Sequence, residues 1–410
     1  MSQPGLADLA NETLEAIMQY IPAKEITENV RNTSRQLNKL SYSNGFWQRY
    51  LKFQFDFAPI CRRSLQANPM EKALAIEKEK LRWQRNKGLN KFKMGCRNIA
   101  AIDDLKIHTT KNGNRLALTG SRDRKVLIWD LKKVAECEDD REWCVDSGEV
   151  HKGWIYGVEM ADDDKTVFSC GFDYTLRQHE LTESGLREIA SFDYNQTLMR
   201  CTMDYNVLYM TTLKSGIHMI DPRAGLKPQR SCTDKISSLI LSVMANDSSR
   251  NDLFVAHGKG SPFAQIDKRQ FKVLTTLRVS HGGGVSSLDV NNDHLLVSMR
   301  NGNVLYFNPT TLSSDFTWKV DNLPNVVKNV NTRSSNGMIL YSTAYELSAY
   351  MPGRKPQLYG KLESKEMLIN MAYKDDDLVA ITGDGSVQFW PRETANYSRE
   401  DDTSNTEEIA

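Results

Sequence analysis

Leu116-Ala117-Leu118-Thr119-Gly120-Ser121-Arg122-Asp123-Arg124-Lys125-Val126-Leu127-Ile128-Trp129-Asp130-Leu131 decides the fold. Two apolar runs, Leu116 to Thr119 and Val126 to Leu131, flank Gly120 to Arg124, where turn-forming residues gather. The stretch therefore reads as two short strands joined by a tight turn. Gly120 supplies the backbone freedom expected of such a turn, and Asp123 is placed to accept hydrogen bonds from local amides. Trp129-Asp130 closes the unit.

The pattern recurs six more times, with decay. Val167–Asp173 leads into Leu176–Glu180, Leu208–Thr211 into Ile217–Asp221, and Leu253–Ala256 into Phe263–Asp267. Leu295–Ser298 leads into Val304–Asn308, Ile339–Ser342 into Glu346–Tyr350, and Leu378–Thr382 through Gly383-Asp384-Gly385 into Val387–Pro391. A repeat of this kind, closing on Trp-Asp, resembles the WD-repeat family, in which each unit of about 40 to 45 residues is one propeller blade. Seven units imply a mainly β fold, a closed seven-bladed propeller. One small sheet cannot bury both faces, but radially stacked neighbours cover each other. After Trp390 the chain turns polar and offers no outer strand for the last blade, so Lys91–Cys96, ahead of the first repeat, is predicted to supply it and cover the open edge.

The chain has 410 residues, 40% of them apolar, enough for one large domain and a small one. No run of 18 apolar residues suggests a membrane span. The first residues lack a charged start and an apolar signal region, which favours a cytoplasmic or nuclear address. Seven scattered cysteines form no Cys-x-x-Cys pair and read as reduced structural thiols. Residues 1 to 95 carry 16 Lys/Arg against 9 Asp/Glu, a net +7, while the remainder carries 37 against 43, a net −6. The basic excess falls on helical candidates and reads as solvated helix surface rather than a nucleic-acid patch.

Leu9 to Leu51 differs from the rest. Glu12–Ile21 places Leu14, Ile17, Met18 and Ile21 at helical spacing, with Asn11 as candidate cap and Pro22 as its end. A second helix runs from Ala23 through Val30, and a third includes Leu37 and Leu40. Phe46-Trp47 and Tyr50-Leu51 follow. Three short helices make a meagre core, and such a unit commonly needs a partner to cover the rest. Leu9-Ala10-Asn11-Glu12, Ile17-Met18, Tyr20-Ile21, Glu25-Ile26, Thr33-Ser34-Arg35-Gln36-Leu37, Leu40 and Phe46-Trp47 follow the order and spacing of an F-box. Ala10 stands where that pattern has Pro, Thr33 where it has Val and Leu37 where it has an aromatic residue. An F-box directly upstream of seven WD-like repeats resembles the F-box/WD-repeat family. The resulting organisation is a flexible start (1–8), an F-box (9–52), a helical linker (53–90), the propeller (91–393) and a polar acidic tail (394–410). Pro69–Gly88 reads as one helix, with Leu74/Leu81 and Ile76/Trp83 recurring every seven residues; a rigid spacer and a helix lying on the propeller are both open.

The resemblance implies a non-catalytic substrate receptor of a Skp–cullin–F-box ubiquitin ligase. Leu9, Leu14, Ile17, Ile21, Pro22, Ile26 and Trp47 would dock on a Skp-type adapter, and through it a cullin and a RING protein. A rim of the propeller would hold a target protein, with Arg122, Arg124, Arg177 and Arg300 as candidate contacts for carboxylate or phosphate. His151, Ser169 and Asp173 have the composition of a catalytic triad. In WD repeats, however, such residues form a structural relay, echoed here by Thr119, Asp123 and Trp129, by Thr382, Asp384 and Trp390, and by His281, Ser298 and Asn301, with His179 taking the Trp place beside Ser169. A constellation repeated from blade to blade is architecture rather than an active centre. No cofactor or metal is expected, and no nucleic acid. The competing expectation is a non-degradative scaffold that assembles partner proteins, motivated by Ala10 and Leu37.

Overall fold

The computed structural model describes residues 9–55, 68–84, 92–94, 100–136, 143–183, 185–213, 216–232, 241–257, 262–279, 284–290, 294–319, 331–335, 338–351, 356–374 and 377–391. Its β part is seven four-stranded antiparallel sheets. Six of them take their strands consecutively from the chain; the first, Ile102–Thr109, Arg115–Ser121, Lys125–Asp130 and Cys144–Glu149, contains the opening stretch. Burial explains why the middle strands were so readable. Leu295–Met299 and Met338–Ser342 are buried at every residue, because a blade on either side covers both faces. The outer strand Lys272–Arg278 alternates between exposed and half-buried residues, because its outer face meets water.

The seventh sheet joins the two ends of the propeller. Strand β1 (Phe92–Met94) pairs antiparallel with Val387–Trp390, setting Phe92 opposite Phe389 and Met94 opposite Val387. The predicted closure is therefore the observed one. Met94 is fully buried beside Ile102, Val387 and Phe389, so the outer strand also contributes to the core. On the neighbouring blade Arg115 forms an ion pair with the fully buried Asp377.

Gly120 serves a different purpose from the one its sequence suggested. It lies within a strand, opposite Val126. A Cβ there would stand 2.8 Å from methyl groups of both Ile155 and Val158 on the next blade. Its lack of a side chain admits the neighbouring sheet. The turn's left-handed residue is Arg124, with φ +73°, and Tyr174 takes the equivalent place in the next blade with φ +70°.

The described part of the chain opens on a module of four helices: α1 (Asn11–Met18), α2 (Ala23–Glu28), α3 (Arg35–Ser41) and α4 (Asn44–Phe55). A short 3-10 turn, Val30–Asn32, follows α2. Asn11 does not cap α1. Ala10 holds the cap position without a side-chain bond, and Asn11 Oδ1 accepts from Gln36 Nε2 at 2.8 Å, tying α1 to α3. Ser34 does cap α3, accepting from Leu37 N at 3.1 Å. Helix α4 runs three residues past the expected boundary at residue 52.

Helix α5 (Pro69–Gln84) settles the choice between spacer and surface helix by being both. Its buried stripe is Ala73, Ile76, Glu79 and Trp83. Leu81, paired with Leu74 in the heptad reading, is exposed instead. One carboxylate clips α5 to the helices: Glu77 accepts from the backbone of Ala23 at 2.7 Å and from the Tyr50 hydroxyl. Two residues further on, Glu79 accepts from Trp83 Nε1 at 3.2 Å, from Arg82 at 3.4 Å and from Tyr373 Oη in the propeller. Arg82 also donates to the carbonyl of Pro391 at 2.9 Å. Trp83 lies directly on Gly360, where a Cβ would stand 2.4 Å from the Trp83 carbonyl oxygen.

A single apolar core runs from Leu14, Met18 and Trp47 through Ala73 and Ile76 to Leu296, Tyr306, Ile339 and Tyr341 of the propeller. The helical module thus covers part of its meagre core with the propeller itself. Leu296, Tyr306, Ile339 and Tyr350 lie at the strand ends that lead into the loops joining first to second and third to fourth strands. We call that face the lower one. The upper face carries the loops between second and third strands and between blades.

Candidate functional site

The helical module presents two kinds of apolar residue. On α1, Leu14 and Met18 point inward and are buried, while Ile17 lies on the opposite side, 39% exposed. Leu9 is 36% exposed, Pro22 is exposed and Ile21 is half-buried against the core. Leu14, Ile26 and Trp47, expected at an adapter interface, are instead interior: two are fully buried and Trp47 is 1% exposed, its indole N–H donating to the carbonyl of Ser41 at 2.7 Å. Their apolar character is satisfied by the module's own core. Two residues outside the sequence expectation join the outer surface. Tyr20 and Phe53 are both exposed and meet edge to face at 4.9 Å, bringing the ends of α1 and α4 together. Leu9, Ile17, Tyr20 and Phe53 are large apolar side chains still open to water after the propeller has covered its share.

The polar constellation of the second blade is a closed relay. His151 Nδ1 lies 3.0 Å from both oxygens of Asp173, and His151 Nε2 is 2.7 Å from Ser169 Oγ, which lies 2.8 Å from His179 Nε2. Burial works against the Asp173 carboxylate, but His151, the Lys152 amide and Thr175 outweigh it and hold the carboxyl well below its usual range. Burial, reinforced by the nearby His151, pushes His179 down from 6.5 to about 4. Ser169 and His179 have no accessible surface, so no substrate reaches them. The first blade keeps half of the arrangement: Trp129 Nε1 donates to Thr119 Oγ1 at 3.3 Å, whereas Asp123 accepts from Ser121. In the last blade Thr382 donates to Asp384 at 2.5 Å and also meets Ser386, while Trp390 is buried beside the α5 residue Trp83. His281 lies outside the described residues; Ser298 is fully buried and Asn301 sits in the following turn.

The relay predicts a pH dependence. A histidine whose folded pKa is depressed leaves the unfolded chain to bind the proton first, so stability is lost as pH falls from about 6.5 towards 4. Over that window the melting temperature of the wild type should fall more steeply than that of a His179→Gln variant. Parallel curves would exclude His179 as a contributor.

The rim arginines are largely engaged within the molecule. Arg122 binds Asp103 through Nε at 2.8 Å and Nη2 at 3.0 Å. Arg177 binds Glu188 at 2.6 Å and lies 3.7 Å from Asp173. Arg124 meets Glu149 at 2.6 Å, an exposed pair of little strength. Arg300 is exposed, at the edge of its strand. What dominates this part of the upper face is aromatic. Trp154, Phe172 and Tyr174 are each more than 40% exposed; ring centroids lie 5.9 Å apart between Trp154 and Phe172, and 6.2 Å between Phe172 and Tyr174. The Arg122 guanidinium stacks on Trp154 at 4.7 Å. Aromatic residues in turns, where small polar ones are usual, were the signal available in the sequence.

Among the described residues no group of three or more His, Cys, Asp or Glu is placed to hold a metal, and no helix is long and apolar enough to cross a membrane. Cys144, Cys170, Cys201 and Cys232 are buried and not in disulfides.

Comparison with known proteins agrees with this two-part architecture. The family model "WD domain, G-beta repeat" matches residues 101–130, within the first blade. F-box/WD repeat-containing protein mec-15 of Caenorhabditis elegans is 21% identical over 403 residues, covering 94% of this chain and 95% of its own. F-box/WD repeat-containing protein 9 of Homo sapiens is 23% identical over 287 residues, covering 68% of this chain and 59% of the human one. The Bos taurus protein of the same name is 23% identical over 296 residues, covering 67% and 59%. These similarities support an F-box/WD-repeat family for the chain. The α1 to α4 module stands where the F-box was expected, and α5 fastens it to the lower face of the propeller. The arrangement is that of a protein-binding, adapter-like molecule.

Proposed function

We propose that this protein is the substrate-receptor subunit of a Skp–cullin–F-box ubiquitin ligase, acting in the cytoplasm or nucleus. The observation that carries the reading is the exposed apolar surface of the F-box: Leu9, Ile17, Tyr20 and Phe53 stay open although the propeller already covers the module's other side. Burying such side chains against an adapter would contribute about 1.5–3 kcal/mol each when complete. The chain performs no bond chemistry in this account. It holds a target on the propeller so that target lysines meet the charged conjugating enzyme at high effective concentration. Because the F-box occupies the lower face, the upper face is left for the target.

Reconstitution tests the reading. The full chain, combined with a Skp-type adapter, a cullin–RING pair and a charged conjugating enzyme, should support transfer of ubiquitin to lysines of the receptor chain itself, and omission of the adapter should abolish it. Stable adapter binding without any transfer would favour the scaffold, in which the same two surfaces assemble partners.

A further inference from the structure

Resting on the reading of the propeller as a target receptor, we propose that Trp154, Phe172 and Tyr174 form the target-binding surface, and that it recognises an uncharged, apolar peptide segment rather than a phosphorylated one. Two independent observations converge. Trp154 precedes the first strand of its blade, while Phe172 and Tyr174 lie between the second and third strands, so all three stand on the upper face. The F-box core reaches the propeller through residues at the lower strand ends, so a peptide on the aromatic patch and an adapter on the F-box do not compete.

The chemistry of the ligand follows from the charges around the patch. The charged residues of these two blades pair with one another: Arg122 with Asp103, Arg124 with Glu149, and Arg177 with Glu188 and Asp173. Arg122 is held by both oxygens of Asp103 and lies over Trp154, and Arg177 is held by Glu188. Both guanidinium groups already have carboxylate partners, so a phosphate would have to displace a carboxylate and would gain little net field. The aromatic faces of Phe172 and Tyr174 remain open to solvent and suit aromatic, leucine or proline side chains, which need no counter-charge. The local structure keeps the patch in shape without a ligand. Phe172 N donates to the Trp154 carbonyl at 2.7 Å, and at Gly171 a Cβ would stand 2.1 Å from the Trp154 carbonyl oxygen, so the two loops are in close contact. A preformed patch of this kind binds with a smaller ordering cost.

The test uses the full-length protein as bait for a phage-displayed library of random 12-residue peptides, followed by titration of selected synthetic peptides with and without phosphoserine. The expected result is enrichment of Trp, Phe, Leu and Pro, with no gain on phosphorylation. Affinity should fall by about 10-fold or more in both Phe172→Ser and the double variant Phe172→Ser/Tyr174→Asn. Asn tolerates the left-handed backbone at residue 174. Tyr205→Asn, at an exposed turn of the lower face with φ +52°, should leave affinity unchanged. Enrichment of acidic or phosphate-dependent peptides, affinity indifferent to Phe172 and Tyr174, or no enrichment at all would each overturn the assignment. Adapter binding measured on the same preparations separates the two ideas: peptides bound at the patch by a chain that takes no adapter would sink the ligase reading and leave this one standing.

Discussion

Glu79→Ala should lower the unfolding free energy by about 3–5 kcal/mol. Its carboxylate is buried and accepts from Arg82, Trp83 and Tyr373, so it joins helix to propeller at one point. Removing it breaks a buried ion pair with Arg82, and the bond from Arg82 to the Pro391 carbonyl supplies a dipole rather than a full charge. Glu79→Gln keeps an acceptor but no charge, and should fall between wild type and Ala. Denaturant unfolding measures the loss, and hydrogen exchange of the α5 amides locates it. A change below about 1 kcal/mol, within the range of exposed pairs, would show that Trp83 on Gly360 and the shared apolar core hold the helix without Glu79.

Met94→Asp should cost about 4 kcal/mol or more and open the ring. The strand that closes the last blade is only three residues long, and Met94 is its one fully buried side chain. A carboxylate there would sit among Ile102, Val387 and Phe389 at a position with no solvent-accessible surface. Loss of β1 would also expose the edge of Val387–Trp390 to pairing with another chain, so aggregation on heating should accompany the lower melting temperature. Lys93→Ala is the control. Lys93 lies opposite Gln388 and meets Glu366 and Asp384 at the surface, so its removal should change stability by about 0.5 kcal/mol or less. Equal effects of the two substitutions would mean that the ring is held shut elsewhere.

Blade number and closure were legible because they depend on local pattern. A blade's middle strands are covered on both sides and so read as apolar runs, and the polar chain after Trp390 left one strand to be found elsewhere. What could not be read depends on neighbours distant in the chain. Gly120 resembles a turn glycine until Ile155 and Val158 of the next blade are placed beside it. Leu14 and Ile17 are both apolar on one short helix, and only the packing of α3 and α4 shows that Leu14 faces in and Ile17 faces out. The same holds for Ile26 and Trp47, whose type suggests an interface and whose burial makes them core. The heptad on α5 failed for a related reason. The helix buries a carboxylate, Glu79, which a search for apolar repeats passes over, and leaves Leu81 outside. The rim arginines looked like ligand contacts because Asp103 and Glu188, their partners, lie 19 and 11 residues away.

The central claim is that the F-box surface of this chain takes a Skp-type adapter. The most direct measurement is a titration of the purified adapter against the full-length protein, wild type beside Ile17→Asp and Tyr20→Asp. Both side chains are exposed, so the variants should fold, and circular dichroism and the melting temperature should match wild type. Wild type should bind, and each variant should lose about 2 kcal/mol or more, roughly 30-fold. No binding by the wild type, or variants that bind as well as it does, would contradict the claim.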